Sequence, residues 1–280
     1  MHILRIVKRL YMNNKPLLPM LLIFFVLAAC THNAITGRSQ LSLVSESEVQ
    51  KMADTEYTKF LSQSKVVKTT GSADAEMVVR VGTRIANAIT EYYKEKGLSN
   101  ALTGYKWEFN LVSSNEVNAW CMPGGKVVVY TGLLQLTQNE AALAIVLGHE
   151  ITHAVAGHGR ERMSQAMLAQ GIQVAGNVAL GSNPQTVNIF NSVYGPSAQM
   201  GVLLPNSRKQ ELEADHYGLI FAAMAGYNPG EAIPFWQSMA KLGSSKAPTF
   251  LSDHPADEER IKKLQELMPE ALKYYKPATQ

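Results

Sequence analysis

Hydrophobic and polar positions along this chain follow two periodicities, one typical of helices and one typical of strands. Helical spacing runs through residues 45–61 and 74–96, and the second segment has a continuous apolar stripe that predicts core packing. Apolar and polar residues alternate at 105–112, which predicts a strand. Residues 117–122 and 126–131 predict two more strands, and the Pro-Gly-Gly turn between them predicts a hairpin. These segments predict an α+β fold that is mostly α-helical.

Another helix is predicted directly after this hairpin. Thr137-Gln138-Asn139-Glu140 has the pattern of a capping box, and an apolar run at 141–147 follows it. The predicted helix carries the motif His149-Glu150-Ile151-Thr152-His153. Two histidines four residues apart lie on one helix face, so both imidazoles can bind one Zn²⁺ while the glutamate between them acts as a general base on water.

The alternative interpretation of this motif is a surface helix with two solvated histidines. The bare pattern arises by chance in about 1% of chains of this length. However, the predicted helix is apolar around most of its circumference, and burying two histidines and a glutamate without a partner costs free energy. The motif therefore favours a catalytic metal site that holds one zinc ion per chain.

A catalytic zinc site needs a third protein ligand and an open position for water. Glu211 and Asp215 are four residues apart and share a helix face, so one can bind zinc while the other orients a ligand histidine. Glu213 falls on the opposite face, where we expect it to be solvated. Spacing alone favours Glu211 only moderately over Glu213 as the ligand.

Residues 163–204 combine many Ala, Gly, Met and Val residues with few charges. The pieces 163–180 and 187–203 fit helices, and Gly181-Ser182-Asn183-Pro184 separates them. Two interpretations remain open. These helices either pack in the core against the motif-bearing helix, or form a mobile lid or membrane-facing element over the cleft.

Residues 1–29 have the pattern of a signal peptide. Residues 17–29 are apolar, four basic residues precede them, and the run is short for a bilayer span. It ends in Leu27-Ala28-Ala29-Cys30, which resembles a bacterial lipobox and implies cleavage before Cys30 and acylation of that cysteine. Residues 30–44 are then a lipidated tether and 45–280 the folded domain. The alternative is an uncleaved membrane anchor.

Charge and cysteine content narrow the functional classes further. Removal of residues 1–29 takes away four of 26 basic residues and no acidic ones, so the formal net charge changes from +3 to −1. The remaining chain has no basic stripe and no aromatic stacking motif, which argues against a nucleic-acid partner. With Cys30 lipidated, Cys121 has no disulfide partner, and its strand-like segment favours a buried apolar role over zinc binding.

Several motifs occur in the order found in a known family of zinc metalloendopeptidases, which includes HtpX-like proteases, CAAX prenyl proteases and Oma-type mitochondrial enzymes. The chain resembles this family at Ile35-Thr36-Gly37-Arg38, Asn118-Ala119-Trp120-Cys121-Met122-Pro123-Gly124-Gly125, Tyr130-Thr131-Gly132-Leu133, the two-histidine motif, Glu211-Leu212-Glu213-Ala214-Asp215 and His254-Pro255 with Arg260. Trp120-Cys121-Met122 departs from the expected smoother run, which bears on substrate preference. The layout is most similar to periplasmic lipoprotein peptidases of envelope protein quality control.

The resemblance implies a zincin-like domain with an active-site helix and a small β-sheet whose edge strand faces the cleft. It implies His149, His153 and Glu211 as zinc ligands. Glu150 is the implied base, and Asp215 the implied support of a ligand. Asn118 and Ala119 are implied to bind substrate, because an open strand edge offers N–H and C=O groups to an extended peptide. The alternative is a strand that only supports the core.

His254 and Arg260 are candidate donors to the oxyanion that develops during hydrolysis. The resemblance gives His254 a second role, in which it occupies the open zinc position until its loop moves. Pro255 and Gly243-Ser244-Ser245 fit a hinge for that movement. A third interpretation is a histidine that caps a helix predicted at 256–268.

The sequence therefore predicts a membrane-tethered zinc metalloendopeptidase that hydrolyses misfolded or unassembled envelope proteins. The expected partners are unfolded or extended polypeptide, a membrane through the lipid anchor, and envelope assembly machinery. The expected location is the periplasmic side of the envelope, at the outer membrane because no Asp follows Cys30. Two alternatives remain: a lipid-anchored chaperone or assembly factor with little proteolysis, and a zinc amidase acting on cell-wall peptide.

Overall fold

The computed structural model describes residues 30–171, 180–195, 207–241, 249–254 and 258–277. The predicted signal peptide, the hinge glycine with its two serines, Pro255 and parts of the segment 163–204 lie outside these residues. The described helices are α1 (Glu46–Gln63), α2 (Ala73–Glu95), α3 (Thr131–Thr137), α4 (Glu140–Val155), α5 (His158–Ala169), α6 (Pro184–Tyr194), α7 (Ser207–Met224), α8 (Ala232–Lys241), α9 (Thr249–Asp253) and α10 (Glu258–Tyr274). The described strands are β1 (Cys30–His32), β2 (Ser39–Leu41), β3 (Val66–Val67), β4 (Glu108–Val112), β5 (Ala119–Met122) and β6 (Lys126–Tyr130).

The central sheet has the strand order β3-β4-β6-β5. Strands β5 and β6 are antiparallel neighbours, which confirms the predicted hairpin, whereas β4 and β6 run parallel. The first predicted strand was too long at its start, since pairing begins at Glu108. The two-residue strand β3 pairs antiparallel with β4 at the other edge of the sheet. Within the described sheet β5 has a neighbour on one side only, so β5 is an edge strand, and it lies next to α4.

Strand β6 is buried on both faces and divides the apolar interior into two layers. Val127 and Val129 face the larger core, which α2, α4 and α7 supply. Val128 and Tyr130 face a smaller core on the other side, formed with α1 and α6. An all-apolar strand interior of this kind is typical of a strand covered by helices on both faces.

Helix α4 begins at Glu140, and its N-cap is Asn139 rather than the predicted Thr137. Thr137 ends the short helix α3, and Gln138 adopts a left-handed conformation with φ of 58°. Asn139 is the N-cap, and its side chain accepts a hydrogen bond from Ala142 N at 2.8 Å. The capping-box prediction was wrong because a separate helix uses Thr137.

Helices α4 and α7 are in backbone contact. A Cβ atom added at Gly148 would lie 2.6 Å from Gly218 O, and one added at Gly218 would lie 2.9 Å from His149 N. Any larger side chain at either position would force the helices apart. This glycine pair brings the helix with the two-histidine motif close to the helix with Glu211.

The described parts of segment 163–204 pack in the interior as the core interpretation predicts, but they join the smaller core rather than that of the motif-bearing helix. Helix α5 begins at His158, five residues before the predicted start, and α6 is capped by Asn183, whose side chain accepts from Gln185 N and Thr186 N. Side chains from both helices are fully buried in the smaller core, including Met163, Met167 and Phe190.

Residues 30–41 form a hairpin that docks on the end of α4. Asn33 Nδ2 and Gln40 Nε2 both donate to Ala156 O, at 2.5 and 2.9 Å, so they cap the C-terminal end of the helix. Tyr217 of α7 donates from its hydroxyl to Ile35 O at 2.6 Å. The predicted tether therefore includes a structured element. Among the described residues, no helix is both long and apolar enough to span a membrane.

Candidate metal centre

Four buried side chains from three places in the chain meet beside the edge strand. His149 and His153 come from α4, Glu211 from α7, and His254 from the end of α9; their donor atoms all lie within 4.8 Å of one another. His153 Nε2 is 3.1 Å from His149 Nε2 and 3.2 Å from Glu211 Oε1. His254 Nδ1 is 3.1 Å from His149 Nε2 and 2.9 Å from Glu211 Oε2.

This donor set fits a zinc ion. Four ligand atoms at ordinary zinc distances around a tetrahedral ion lie about 3.4 Å apart, which is close to the separations seen here. Imidazole nitrogens with a carboxylate oxygen are also donors that zinc prefers. The residues brought together are the three predicted ligands together with His254, the residue predicted to occupy the open position.

The charges of the cluster favour a cation at its centre. Burial raises the pKa of Glu211, but His254, His153 and the hydrogen bond with His149 outweigh this and hold its pKa well below the ordinary range. Burial lowers the pKa of His149, yet hydrogen bonds with Asp215 and Glu211 raise it overall. Burial holds the pKa of His153 well below the ordinary range, so this imidazole is neutral, the form that binds metal.

Asp215 supports His149, as predicted from its spacing. Asp215 Oδ1 lies 3.0 Å from His149 Nδ1. Arg260 donates to both carboxylate oxygens of Asp215, at 2.6 and 2.8 Å, and its guanidinium lies 3.7 Å from the ring centroid of Trp236. Burial raises the pKa of Asp215, but Arg260 and His149 lower it overall, so the group is a carboxylate.

Glu213 is not solvated as predicted but forms hydrogen-bonded contacts with His158 and Arg38. Glu213 Oε2 lies 2.8 Å from His158 Nε2, and Oε1 accepts from Arg38 Nε at 2.7 Å. His158 Nδ1 lies 2.9 Å from His153 Nδ1. The sequence feature that could have pointed to His158 is a third histidine directly after Gly157. Gly157 has a φ of 64°, which lets the chain turn between α4 and α5.

A cleft opens beside the metal centre, between α4 and the edge strand. Glu150 is 5% exposed at the floor of this cleft, and His254 Nε2 lies 3.3 Å from Glu150 Oε1. His254 directly follows α9 and faces the metal centre, while residues 255–257, at the start of the helix predicted at 256–268, lie outside the described residues. The cleft is lined by Asn118, Ala119, Trp120, Cys121, Glu150, His153, Ala154, Gly159, Arg162, Val193, Tyr194, Gly195 and His254.

A family model described as Peptidase family M48 matches residues 80–268, more than half of the chain. The chain belongs to peptidase family M48. This confirms the family predicted from the motifs and their order. Peptidases of family M48 are zinc-dependent, in agreement with the donor set at the metal centre.

Curated relatives of this chain are named as metalloendopeptidases or metalloproteases. Mitochondrial metalloendopeptidase OMA1 of Arabidopsis thaliana is 36% identical over 185 residues, which cover 65% of this chain and 36% of the relative. Metalloprotease LoiP of Escherichia coli (strain K12) is 29% identical over 74% of this chain and 82% of its own. Metalloprotease YcaL of the same bacterium is 24% identical over 91% and 97%. The chain spans only about half or less of the mitochondrial relatives.

Proposed function

We propose that this protein is a zinc-dependent metalloendopeptidase that cleaves extended polypeptides. The observation that carries this proposal is the convergence of His149, His153 and Glu211 next to Glu150, in a cleft bordered by an edge strand. Membership of peptidase family M48 supports the same reaction class.

In this proposal His149, His153 and Glu211 hold the zinc ion. Bound zinc supplies a Lewis acid that lowers the pKa of water and polarises the scissile carbonyl. Glu150 accepts the proton of the attacking water and delivers it to the leaving amide nitrogen. Its position on α4 between the two histidines places its carboxylate at the cleft rather than among the ligands.

His254 and Arg260 have different roles in the proposal. His254 lines the cleft and its Nδ1 lies at the fourth ligand position, so we assign it to closing the site when its segment is docked. Movement of His254 out of this position opens the fourth ligand position to the attacking water. Arg260 is held by Asp215 and Trp236 behind the ligands, which favours a supporting role over contact with substrate.

The edge strand is the proposed binding site for the substrate backbone. Tyr130 N donates to Asn118 O, so the backbone groups of residues 118 and 120 face β6. The backbone N–H and C=O groups of Ala119 and Cys121 therefore point away from β6, toward the free edge. An extended peptide can pair with these groups and pass beside Glu150.

We further propose that the enzyme is held on the periplasmic face of the cell envelope through acylated Cys30, at the outer membrane. The lipobox-like sequence before Cys30 and the exposure of that residue at the start of β1 support this assignment. An anchored peptidase with an extended-strand site suits misfolded or unassembled envelope proteins as substrates, and contact with envelope assembly machinery is consistent with that task.

The decisive experiment compares Glu150→Gln with Glu140→Gln, a control at the surface end of the same helix. Glu150→Gln is expected to retain one zinc per chain and to lose about 10²- to 10⁴-fold in cleavage of unfolded casein, because the proton acceptor is gone. The control is expected to keep both properties. Casein cleavage that survives in Glu150→Gln would refute the mechanism. Cleavage of peptidoglycan peptide instead of casein would favour the amidase.

A further inference from the structure

His158, Glu213 and Arg38 form a chain of hydrogen bonds that ends on a metal ligand. Arg38 donates to Glu213, Glu213 lies against His158 Nε2, and His158 Nδ1 lies against His153 Nδ1. His158 is fully buried, and Glu213 has an exposed side-chain fraction of 18%. We propose that these three residues are a positioning relay that presents Nε2 of His153 to the metal. This inference rests on the proposed function, because it concerns the same zinc site.

The Glu213 carboxylate, which can only accept, determines the direction of each hydrogen bond between Glu213 and His153. The Glu213 carboxylate accepts hydrogen bonds and has none to donate, so His158 Nε2 carries the proton that faces it. A neutral His158 then has a lone pair on Nδ1, which accepts from His153 Nδ1. His153 is left with its lone pair on Nε2, the atom next to Glu211 and His149. The relay therefore selects the metal-binding tautomer of His153.

Arg38 fixes the outer end of the relay. Its guanidinium donates through Nη1 and Nη2 to the two oxygens of Glu161, at 2.9 and 2.8 Å, while Nε bonds Glu213. Glu161 is 2% exposed and also accepts from Gln210 Nε2 at 2.8 Å. Bidentate contacts of this kind hold a planar guanidinium in one orientation. Arg38 thereby fixes the position of the Glu213 carboxylate in front of His158.

The two ligand histidines are supported in parallel ways from α7. Asp215, backed by Arg260, binds His149 directly. Glu213, backed by Arg38, is too far round the helix to reach the ligands and acts through His158. Partners of this kind orient ligand imidazoles, and their loss typically costs about 10- to 100-fold in metal affinity.

The test measures zinc affinity of the full chain by competition with a chromophoric chelator, and the visible absorption spectrum of the Co²⁺-loaded protein. His158→Ala is expected to bind zinc about 10- to 100-fold more weakly and to alter the Co²⁺ bands. His158→Gln is expected to recover most of the affinity, because its amide can accept from His153 and donate to Glu213. Glu213→Gln is expected to show a smaller loss, and to add little to His158→Ala in the double variant.

His216→Ala is the matched control, since His216 on α7 makes the same kind of pair, 2.9 Å from Glu270, away from the metal centre. Wild-type zinc affinity and Co²⁺ bands in folded His158→Ala would overturn the relay, as would an equal loss in His158→Gln. If His158→Ala does not fold, wild-type zinc affinity and Co²⁺ bands in Glu213→Gln overturn it. Wild-type protein that binds no zinc would instead refute the proposed function.

Discussion

At the residue scale, His254 lies at the boundary between the metal centre and the cleft. Its Nδ1 faces Glu211 and its Nε2 faces Glu150, so one side chain contacts both a ligand and the proposed base. A side chain in this place completes the coordination of a metal and also blocks the position that water needs. Its removal separates these effects, because the other three donors remain.

We predict that His254→Ala raises turnover of unfolded casein about 3- to 10-fold, because a closed fraction of roughly 70–90% lowers apparent activity by that factor. Zinc content is expected to stay at one per chain. The assay compares kcat of His254→Ala with wild type and with His216→Ala. A strong loss of turnover with zinc retained would show instead that His254 stabilises the transition state.

The sequence alone could predict that the proposed ligands come together, and the reason lies in the positions of single residues along a helix. In a helix, spacings of four residues place side chains on one face, so His149 with His153 and Glu211 with Asp215 could be paired without knowing the fold. Glu213 shows the limit of this reasoning. Its partner Arg38 is 175 residues away in sequence, and local spacing carries no information about such a contact.

At the scale of elements, strand β5 and helices α4 and α7 together form the candidate site. Helix α7 supplies Glu211 as a proposed ligand, and it supplies Asp215 and Glu213 as supports for the two histidines on α4. Strand β5 lies along the cleft with its outward backbone groups at Ala119 and Cys121. The strand and its hairpin could be predicted, but the order of strands could not, because the parallel pairing of β4 with β6 is a tertiary feature.

We predict that Ala119→Pro raises KM for unfolded casein about 2- to 10-fold, because proline removes an outward N–H that pairs with substrate. Zinc affinity is expected to be unchanged. Ala119→Gly is the matched control, since it changes the side chain but keeps the N–H. Equal KM values for Ala119→Pro and wild type, with both folded, would show that substrate does not add to this strand.

At the scale of the whole molecule, the metal centre lies among helices α4, α7 and α9, which all pack in the larger apolar core. Its donors come from α4, α7 and the end of α9, and the hairpin of residues 30–41 is tied to it through Arg38. Metal binding to the folded state alone therefore stabilises the packing between these elements.

We predict that removal of zinc with a chelator lowers the melting temperature by about 5–10 °C relative to protein in zinc at a hundredfold excess over Kd. The excess contributes about 2.7 kcal/mol, and domains of this size shift by about 2–4 °C per kcal/mol. Differential scanning calorimetry with and without zinc measures the shift. The double variant His149→Ala with His153→Ala is expected to show none, and a wild type that melts at one temperature in both conditions would contradict the prediction.

The docked hairpin has a consequence for the order in which the protein folds. Asn33 binds the carbonyl of Ala156, 123 residues away, so the hairpin can dock only after α4 has formed. Bringing such distant segments together costs loop-closure entropy, and contacts of this kind slow folding. Arg38 is synthesised before all its partners in the relay but reaches them late. The hairpin of residues 30–41 is therefore synthesised before the helices of the metal centre but docks on them late.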